Sequence, residues 1–501
     1  MSTPAAPLEG EAARLTDLSP RPVWRHFTEL AARPRPSGQE EAVRQYVRDW
    51  ATGLGLTYAE DDAGNLIVRA PGRGRGVNAA PVLVQGHMDM VTEKDLDVAH
   101  DFDTDPIRLR LEGDVLSATG TTLGADNGIG VSLGLAACEG LYADHPPIEL
   151  LLTADEETGM TGAMGLNAEL LSARRMINLD AEEEGTLYIG CAGGCDTVAR
   201  LPLVRAAALP ERQPVRLRVG GLAGGHSGLD IHLNRGNAIR LLAQAVWELR
   251  REFSLAVVRL DGGNKRNAIP RDAECLALVD PGQRAALDAA VAELAPRLKQ
   301  LHADSDPGFE LVLEAAAGDE FTGLRPWTDD CADRALDLLL ATHDGVGSMS
   351  ATVEGLVETS SNLGVLDTRD DPDTLVVTFC SRSSNERALD LMCARIAMVV
   401  GRCGGEARAE SRYPGWQPNA GSALLGTARE VFSELAGGAA PRVTAIHAGL
   451  ECGLLGGMMP ELDMISFGPD IRDAHTPRER VSVRSVQAVS RQLEALLAAL
   501  C

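Results

Sequence analysis

The sequence predicts an α/β protein: a mostly parallel sheet flanked by helices, interrupted by an α+β insert. Three observations carry this expectation. Short, nearly continuous apolar runs recur at PVLVQ (81–85), IELLLT (148–153) and MINL (176–179), as expected of strands buried on both faces. A helical stretch from Gly128 to Glu139, with Ile129, Leu133 and Ala136 on one face, separates the first two, and strands alternating with helices indicate a largely parallel sheet. The texture changes after about residue 195, where VRLRVGGL (215–222) alternates as a sheet exposed on one face would, and buried-strand signals return only at MISFG (464–468).

Taken in order, residues 1–20 read as a frayed leader with neither a basic n-region nor an apolar h-region, so no secretory signal is expected. Ser37 to Glu40 spells S-x-x-E, a capping box, opening an amphipathic helix with Val43, Val47, Trp50 and Leu54 on one face. Beyond the Gly128–Glu139 helix and the three apolar runs, the insert is expected to hold a long helix over 236–251. Its strands are expected near 255–260, 273–279, 309–314 and 375–380, and further helices near 284–303, 328–341 and 385–401. Near Pro414 the texture shifts back, and a helix over 482–500 closes the chain. The expected organisation is a discontinuous catalytic domain of residues 1–195 and 411–501, interrupted by an inserted domain at 196–410, with no internal repeat and no low-complexity block.

Composition narrows the function classes. The 501 residues carry a formal net charge of −25, which argues against nucleic-acid binding because that needs a basic footprint. A hydrophobic content of 45% supplies a sizeable core. No apolar run reaches the ~18 residues of a membrane span, so no membrane partner is expected. The ten cysteines are scattered, unlike a disulfide scaffold, and Cys191 and Cys195 read as free thiols of a cytoplasmic protein.

Each apolar run ends in a polar cluster: PVLVQG in His87-Met88-Asp89, IELLLT in Asp155-Glu156-Glu157, and MINL in Asp180. Ligands of open α/β sheets bind at the carboxyl ends of the strands, so these groups share one edge, joined by Asp126 if TTLGADNGIG leads into the 128–139 helix. Carboxylates crowded in one cleft repel each other and raise their pKa values; a divalent cation removes that problem. Imidazole nitrogen with Asp and Glu oxygens is a zinc-type or manganese-type donor set, and a pair of ions sharing a carboxylate suits hydrolysis. GGLAGGHSG (220–228) matches no phosphate-binding pattern, but its His226-Ser227 pair could reach a substrate. The run Glu182-Glu183-Glu184 and the histidines at 26, 100, 145, 232, 302 and 343 read as structural or surface groups.

At this point the motifs become specific. GHMDMV (86–91), LGADNGIGV (123–131), TADEETGMTGA (153–163), NLDAEEEG (178–185), GGHSGLDIHLNRGNA (224–238) and FGPDIRDAHTPRERV (467–481) resemble, in order, the motifs of the M20 family of co-catalytic metallopeptidases. With RNAIPRDA (266–273), ETSSNLGV (358–365), YPGWQP (413–418) and HAGLECGLL (447–455), the chain resembles the subgroup of cytosolic non-specific, or aminoacyl-histidine, dipeptidases over about residues 15 to 499. ETSSNLG departs slightly from the apolar residue usual before its Asn.

The resemblance implies two divalent ions, zinc first with manganese or cobalt as alternatives. His87 and Asp180 would hold one, Glu157 and His475 the other, and Asp126 would bridge. Asp89 would orient His87, Glu156 would be the general base, and His226 would come from a lid domain to polarise the scissile carbonyl. Arg382 and Asn267 are candidates for the substrate carboxylate, and His447 and Glu451 for its free amine. The same resemblance implies small peptide substrates, Xaa-His dipeptides among them, and a homodimer formed through the insert. The runner-up activity is an N-acyl amino acid deacylase of the same fold, which would need an apolar acyl pocket where a dipeptidase holds an ammonium.

Overall fold

The computed structural model describes residues 14–209, 211–316 and 325–501; most of the expected leader, residues 1–13, lies outside them. The chain forms two compact units. The first comprises residues up to Gly190, Pro418–Ala445 and Glu451–Cys501; the second comprises Cys191–Gln417 and Ile446–Leu450. The second unit thus starts before residue 196 and ends after 410. The reason is local pairing: Cys191 exchanges backbone hydrogen bonds of 2.9 and 3.0 Å with Trp416, and Ala192 donates to the carbonyls of Ile446 and Ala448 at 3.1 and 3.0 Å.

The sheet of the first unit runs, by strand, Thr57–Glu60, Leu66–Ala70, Ile148–Thr153, Val82–His87, Arg175–Asn178, Asp463–Ser466, Thr186–Cys191 and Arg442–Ile446. Its centre is parallel: Val82–His87 pairs in parallel with both Ile148–Thr153 and Arg175–Asn178, and the latter with Asp463–Ser466. Leu66–Ala70 joins antiparallel to Ile148–Thr153, and Thr186–Cys191 antiparallel to Asp463–Ser466. The two mostly apolar runs, Val82–His87 and Ile148–Thr153, are buried at every position, which is why they read as nearly continuous hydrophobic stretches rather than alternating ones. A separate four-stranded sheet contains Ile471–Arg472, Arg480–Ser482, Val115–Ala118 and Leu109–Glu112.

One helix begins differently from its sequence signature. The Ser37 hydroxyl caps nothing; it donates to Asp89 Oδ2 at 2.7 Å, and the helix starts at Glu41 with Glu40 at its N-cap position and no side-chain cap. Glu40 instead accepts from the amides of Gly38 (2.7 Å) and Asp155 (3.0 Å). The Gly128–Glu139 stretch is helical over Ala125–Cys138, but Asp126 and Asn127 depart from helical φ/ψ at its first turn.

The second unit is built on a nine-stranded sheet in which each resolved pairing is antiparallel. The helices Ala238–Arg250, Asp329–Ala341 and Glu386–Arg402 begin at the side-chain caps Asn237, Thr328 and Asn385. They share one apolar core with this sheet, including Leu242, Val246, Leu336, Leu339 and Ile396. Two of its longest strands, Gly193–Pro202 and Val357–Asp367, leave no apolar run in the sequence. In VETSSNLGVLD the serines 360 and 361 are fully buried. Cross-strand hydroxyl pairs satisfy Ser361 and Thr359, with Ser381 donating to Ser361 at 3.1 Å and Thr359 lying 2.9 Å from Ser383, while the Ser360 hydroxyl pairs with a histidine, His447, at 2.7 Å.

Candidate active site

In the first unit the parallel register sets His87 opposite Thr153 and Gln85 opposite Asn178. The chain therefore leaves the sheet at the same edge three times, at His87-Met88-Asp89, at Asp155-Glu156-Glu157 and at Asp180. After Thr153 the backbone turns sharply, with Asp155 in the left-handed region at φ 53°. This turn aims the amides of Glu156 and Glu157 at Asp89, one at each oxygen, at 3.0 and 3.1 Å. With the Ser37 hydroxyl on Oδ2, Asp89 is fully buried yet well solvated by protein donors. Burial pushes its carboxyl up, but the His87 imidazole, Ser37 and the Glu156 amide outweigh it and hold Asp89 well below the usual carboxylate range.

The imidazole of His87 has two distinct sides. Nδ1 lies 3.3 Å from Asp89 Oδ1, while Nε2 lies 3.0 Å from Asp126 Oδ1 and 3.3 Å from Asp180 Oδ1. A second imidazole mirrors this from a different segment: His475 Nε2 is 3.2 Å from Asp126 Oδ2 and 3.1 Å from Glu157 Oε2. Asp126 thus turns one carboxylate oxygen to each ring. Burial opposes a positive His87, but Asp180, Asp126 and Asp89 raise it well above its ordinary value. His475 is raised to about 11 by its contacts with Asp126 and Glu157. Burial pushes Asp180 up to about 6 and Glu156 well above the carboxylate range, with neighbouring carboxylates adding to both shifts.

These residues fit divalent cations. One ligand atom each from His87, Asp126 and Glu157 lies within 4.8 Å of the others. Glu157 Oε1 and Asp180 Oδ1 are buried without a hydrogen-bond partner, as oxygens meant for an ion rather than a proton donor would be. The nitrogen and oxygen donors are those of zinc or manganese sites.

Two further acids lie close to this cluster. Glu182, read from the sequence as a structural or surface group with no part in the site, is half-buried beside Asp126, Asp180 and His475, and burial followed by these carboxylates pushes its pKa up to about 8. The available signal was its place two residues past Asp180 on the strand exit. Glu451, a candidate for a substrate ammonium, has 0% exposure. Its Oε2 accepts from Gln85 at 2.6 Å and from Thr153 at 2.7 Å. Its Oε1 is buried without a hydrogen-bond partner, and burial raises the carboxyl to about 7.

The second unit holds its own cluster. His226 follows the left-handed Gly224 (φ 67°), and its Nδ1 accepts from the amides of Gly228 at 3.2 Å and Leu229 at 3.0 Å. Two donors on Nδ1 leave the proton on Nε2, so the ring presents an N–H outward. Burial and the neighbouring Arg382 lower His226 to about 4. A Cβ on Gly228 would stand 2.2 Å from the His447 carbonyl, 3.1 Å from His226 Cε1 and 3.3 Å from Arg382 Nε, so only glycine lets these three residues close together. Arg382 is buried and donates to the Tyr413 hydroxyl at 2.8 Å, leaving Nε without a partner. His447 Nε2 lies 2.7 Å from the Ser360 hydroxyl, and burial lowers it to about 3. Asn267 is exposed, and its carbonyl accepts from the Ser227 amide at 2.8 Å.

An α/β unit with imidazoles and carboxylates converging beyond its parallel strand ends defines a metal-dependent hydrolase. The chain belongs to peptidase family M20/M25/M40, whose model matches residues 83–499. It is 38% identical over 474 residues to the cytosol non-specific dipeptidase of Escherichia coli (strain K12), spanning 95% of this chain and 96% of that one. The aminoacylhistidine dipeptidase of Vibrio alginolyticus superposes with a TM-score of 0.87 at 37% identity, over 97% of this chain and 98% of that one. An aminopeptidase from Bacillus cereus shares the fold at 15% identity and a TM-score of 0.55, over 96% of this chain and 99% of that one.

Proposed function

We propose that the protein is a metallo-dipeptidase acting on unblocked dipeptides, Xaa-His among them. The observation that carries this reading is the Asp126 carboxylate, with one oxygen toward His87 and the other toward His475. Together with the two dipeptidase relatives it favours peptide-bond hydrolysis at a two-ion site. His87 and Asp180 would hold one divalent ion and Glu157 and His475 the other, with Asp126 shared; zinc suits the donors best, with manganese or cobalt as alternatives. Such a pair of ions supplies activation of water at neutral pH and withdrawal of charge from a carbonyl oxygen. Asp89 orients the His87 ring. Glu156 takes the proton of the attacking water and returns it to the leaving amine. The Nε2–H of His226 donates to the oxyanion as it forms, and Arg382, with its planar fork, and Asn267 grip the substrate carboxylate. The second unit acts as lid and as the dimerisation surface of a cytoplasmic homodimer. Among the described residues no helix is long and apolar enough to cross a membrane.

The test is a panel of Xaa-His dipeptides, other dipeptides, tripeptides and N-acetyl amino acids, each with and without chelator. Unblocked dipeptides are expected to be cleaved, with activity abolished by chelator and restored by zinc, manganese or cobalt. Preference for N-acetyl amino acids would instead make the protein a deacylase.

His226→Ala should bind metal as the wild type does and lower kcat by about 10²–10³, the size of a lost oxyanion donor. Because the ring gains a proton only as pH falls toward about 4, it stays neutral between pH 5 and 9. The variant's kcat profile over that range should keep the wild-type shape at a lower level. A changed inflection would assign His226 to proton transfer.

A further inference from the structure

The loop Leu123–Asp126, which delivers the shared carboxylate, is held by one acid. Glu479 is 2% exposed and accepts four consecutive backbone amides: Leu123 and Gly124 on Oε2 at 2.7 and 2.9 Å, and Ala125 and Asp126 on Oε1 at 2.7 and 3.3 Å. Glu479 lies four residues after His475, at the end of the same loop, between the strands Ile471–Arg472 and Arg480–Ser482. The other side of Gly124 is taken by Arg35, also 2% exposed. Arg35 donates to the carbonyls of Met88 and Asp89, each at 2.9 Å, and to the Gly124 carbonyl. Gly124 sits in the left-handed region (φ 69°), and a Cβ there would meet Arg35 Nη2 at 2.3 Å and Met90 Sδ at 2.8 Å. The loop therefore has room for the arginine on one face while its amides converge on the glutamate.

We propose that Glu479 and Arg35 are positioning residues that lace three ligand-bearing segments together: the His87 strand end, the Asp126 loop and the His475 loop. The proposal rests on the reading of those three residues as metal ligands. Its logic is geometric. Asp126 serves two imidazoles only while its carboxylate stands between them, and its backbone departs from helical φ/ψ there, so the helix it begins does not fix its direction. Glu479 fixes that backbone relative to His475, and Arg35 fixes it relative to the carbonyls next to His87. Neither side chain needs to touch an ion or substrate.

The experiment compares the wild type with Glu479→Gln, Glu479→Asp and Arg35→Lys. It measures circular dichroism, Tm of the metal-free protein, and affinity for zinc alone by competition with a chromophoric chelator. The aspartate keeps the charge but shortens the reach, and the lysine keeps the charge but loses the fork, so a folded variant remains if Glu479→Gln fails to fold. Folded variants are expected to lose zinc affinity by about 10–100-fold, more at one of two sites, and to show a smaller metal-induced rise in Tm. Folded variants that bind two ions as tightly as the wild type overturn the proposal, as does a lower metal-free Tm with unchanged affinity in the folded fraction. The wild-type control separates the two readings: a wild type that binds no zinc removes the metal site itself, whereas a wild type that binds two ions leaves the variants to decide the positioning.

Discussion

Asp126→Ala should release both metal ions and abolish nearly all dipeptide hydrolysis while the protein stays folded. The reason is arithmetic on one side chain. Its two oxygens lie 3.0 and 3.2 Å from the Nε2 atoms of His87 and His475, so removing it withdraws a ligand from each half-site at once. The cations lost with it would have balanced the charges of Asp180 and Glu157. Metal content by elemental analysis on the purified variant, beside kcat/KM for a dipeptide, checks this. Two tightly retained ions would assign the bridging role elsewhere. Fold is expected to survive because Asp126 contributes no core packing: the loop is fixed through its backbone, by Glu479.

Glu156→Gln should keep both ions and bind dipeptide, yet turn over about 10²–10⁴ times more slowly, the usual contribution of a positioned base. The amide keeps the volume and removes the basicity. The structure separates this residue from its neighbour: Glu157 reaches His475 at 3.1 Å, while Glu156 makes no ion pair with either imidazole although both backbone amides bind the same Asp89 carboxylate. Glu157→Gln should accordingly weaken one ion. Metal stoichiometry and kcat on both variants decide the matter. If Glu156→Gln loses metal while Glu157→Gln keeps it and is inactive, the two roles are exchanged.

The legible part of the site is the part attached to short buried strands. PVLVQG, IELLLT and MINL are apolar because both faces of a central parallel strand are covered, and the first polar residues after them must lie at one edge. His87, Asp89, Glu156, Glu157 and Asp180 follow from that rule alone. Glu182 was hidden by its neighbours: in an acidic triplet the default is a solvated face, and only the turn after Asp180 sets this member beside Asp126, Asp180 and His475. Ser37 illustrates the opposite error. S-x-x-E is a local signature, but the hydroxyl finds the Asp89 carboxylate instead, a partner 52 positions away that no local pattern contains.

The sequence by itself determined the class of fold, the strand ends that carry the acids, the texture change that separates the insert and, through its motifs, the family. These are encoded locally, in periodicities of a few residues and in short motifs, because burial of one face or two imposes them residue by residue. Only the tertiary structure decided that Glu451 is sealed beneath the strands on Gln85 and Thr153 and that the second unit claims Ile446–Leu450. It alone shows Glu479 gathering amides that lie 353 to 356 residues away. The physical reason is the same in each case. A buried charge or an open backbone amide must find a partner, and which partner it finds depends on what chain closure brings within 3 Å or so of it.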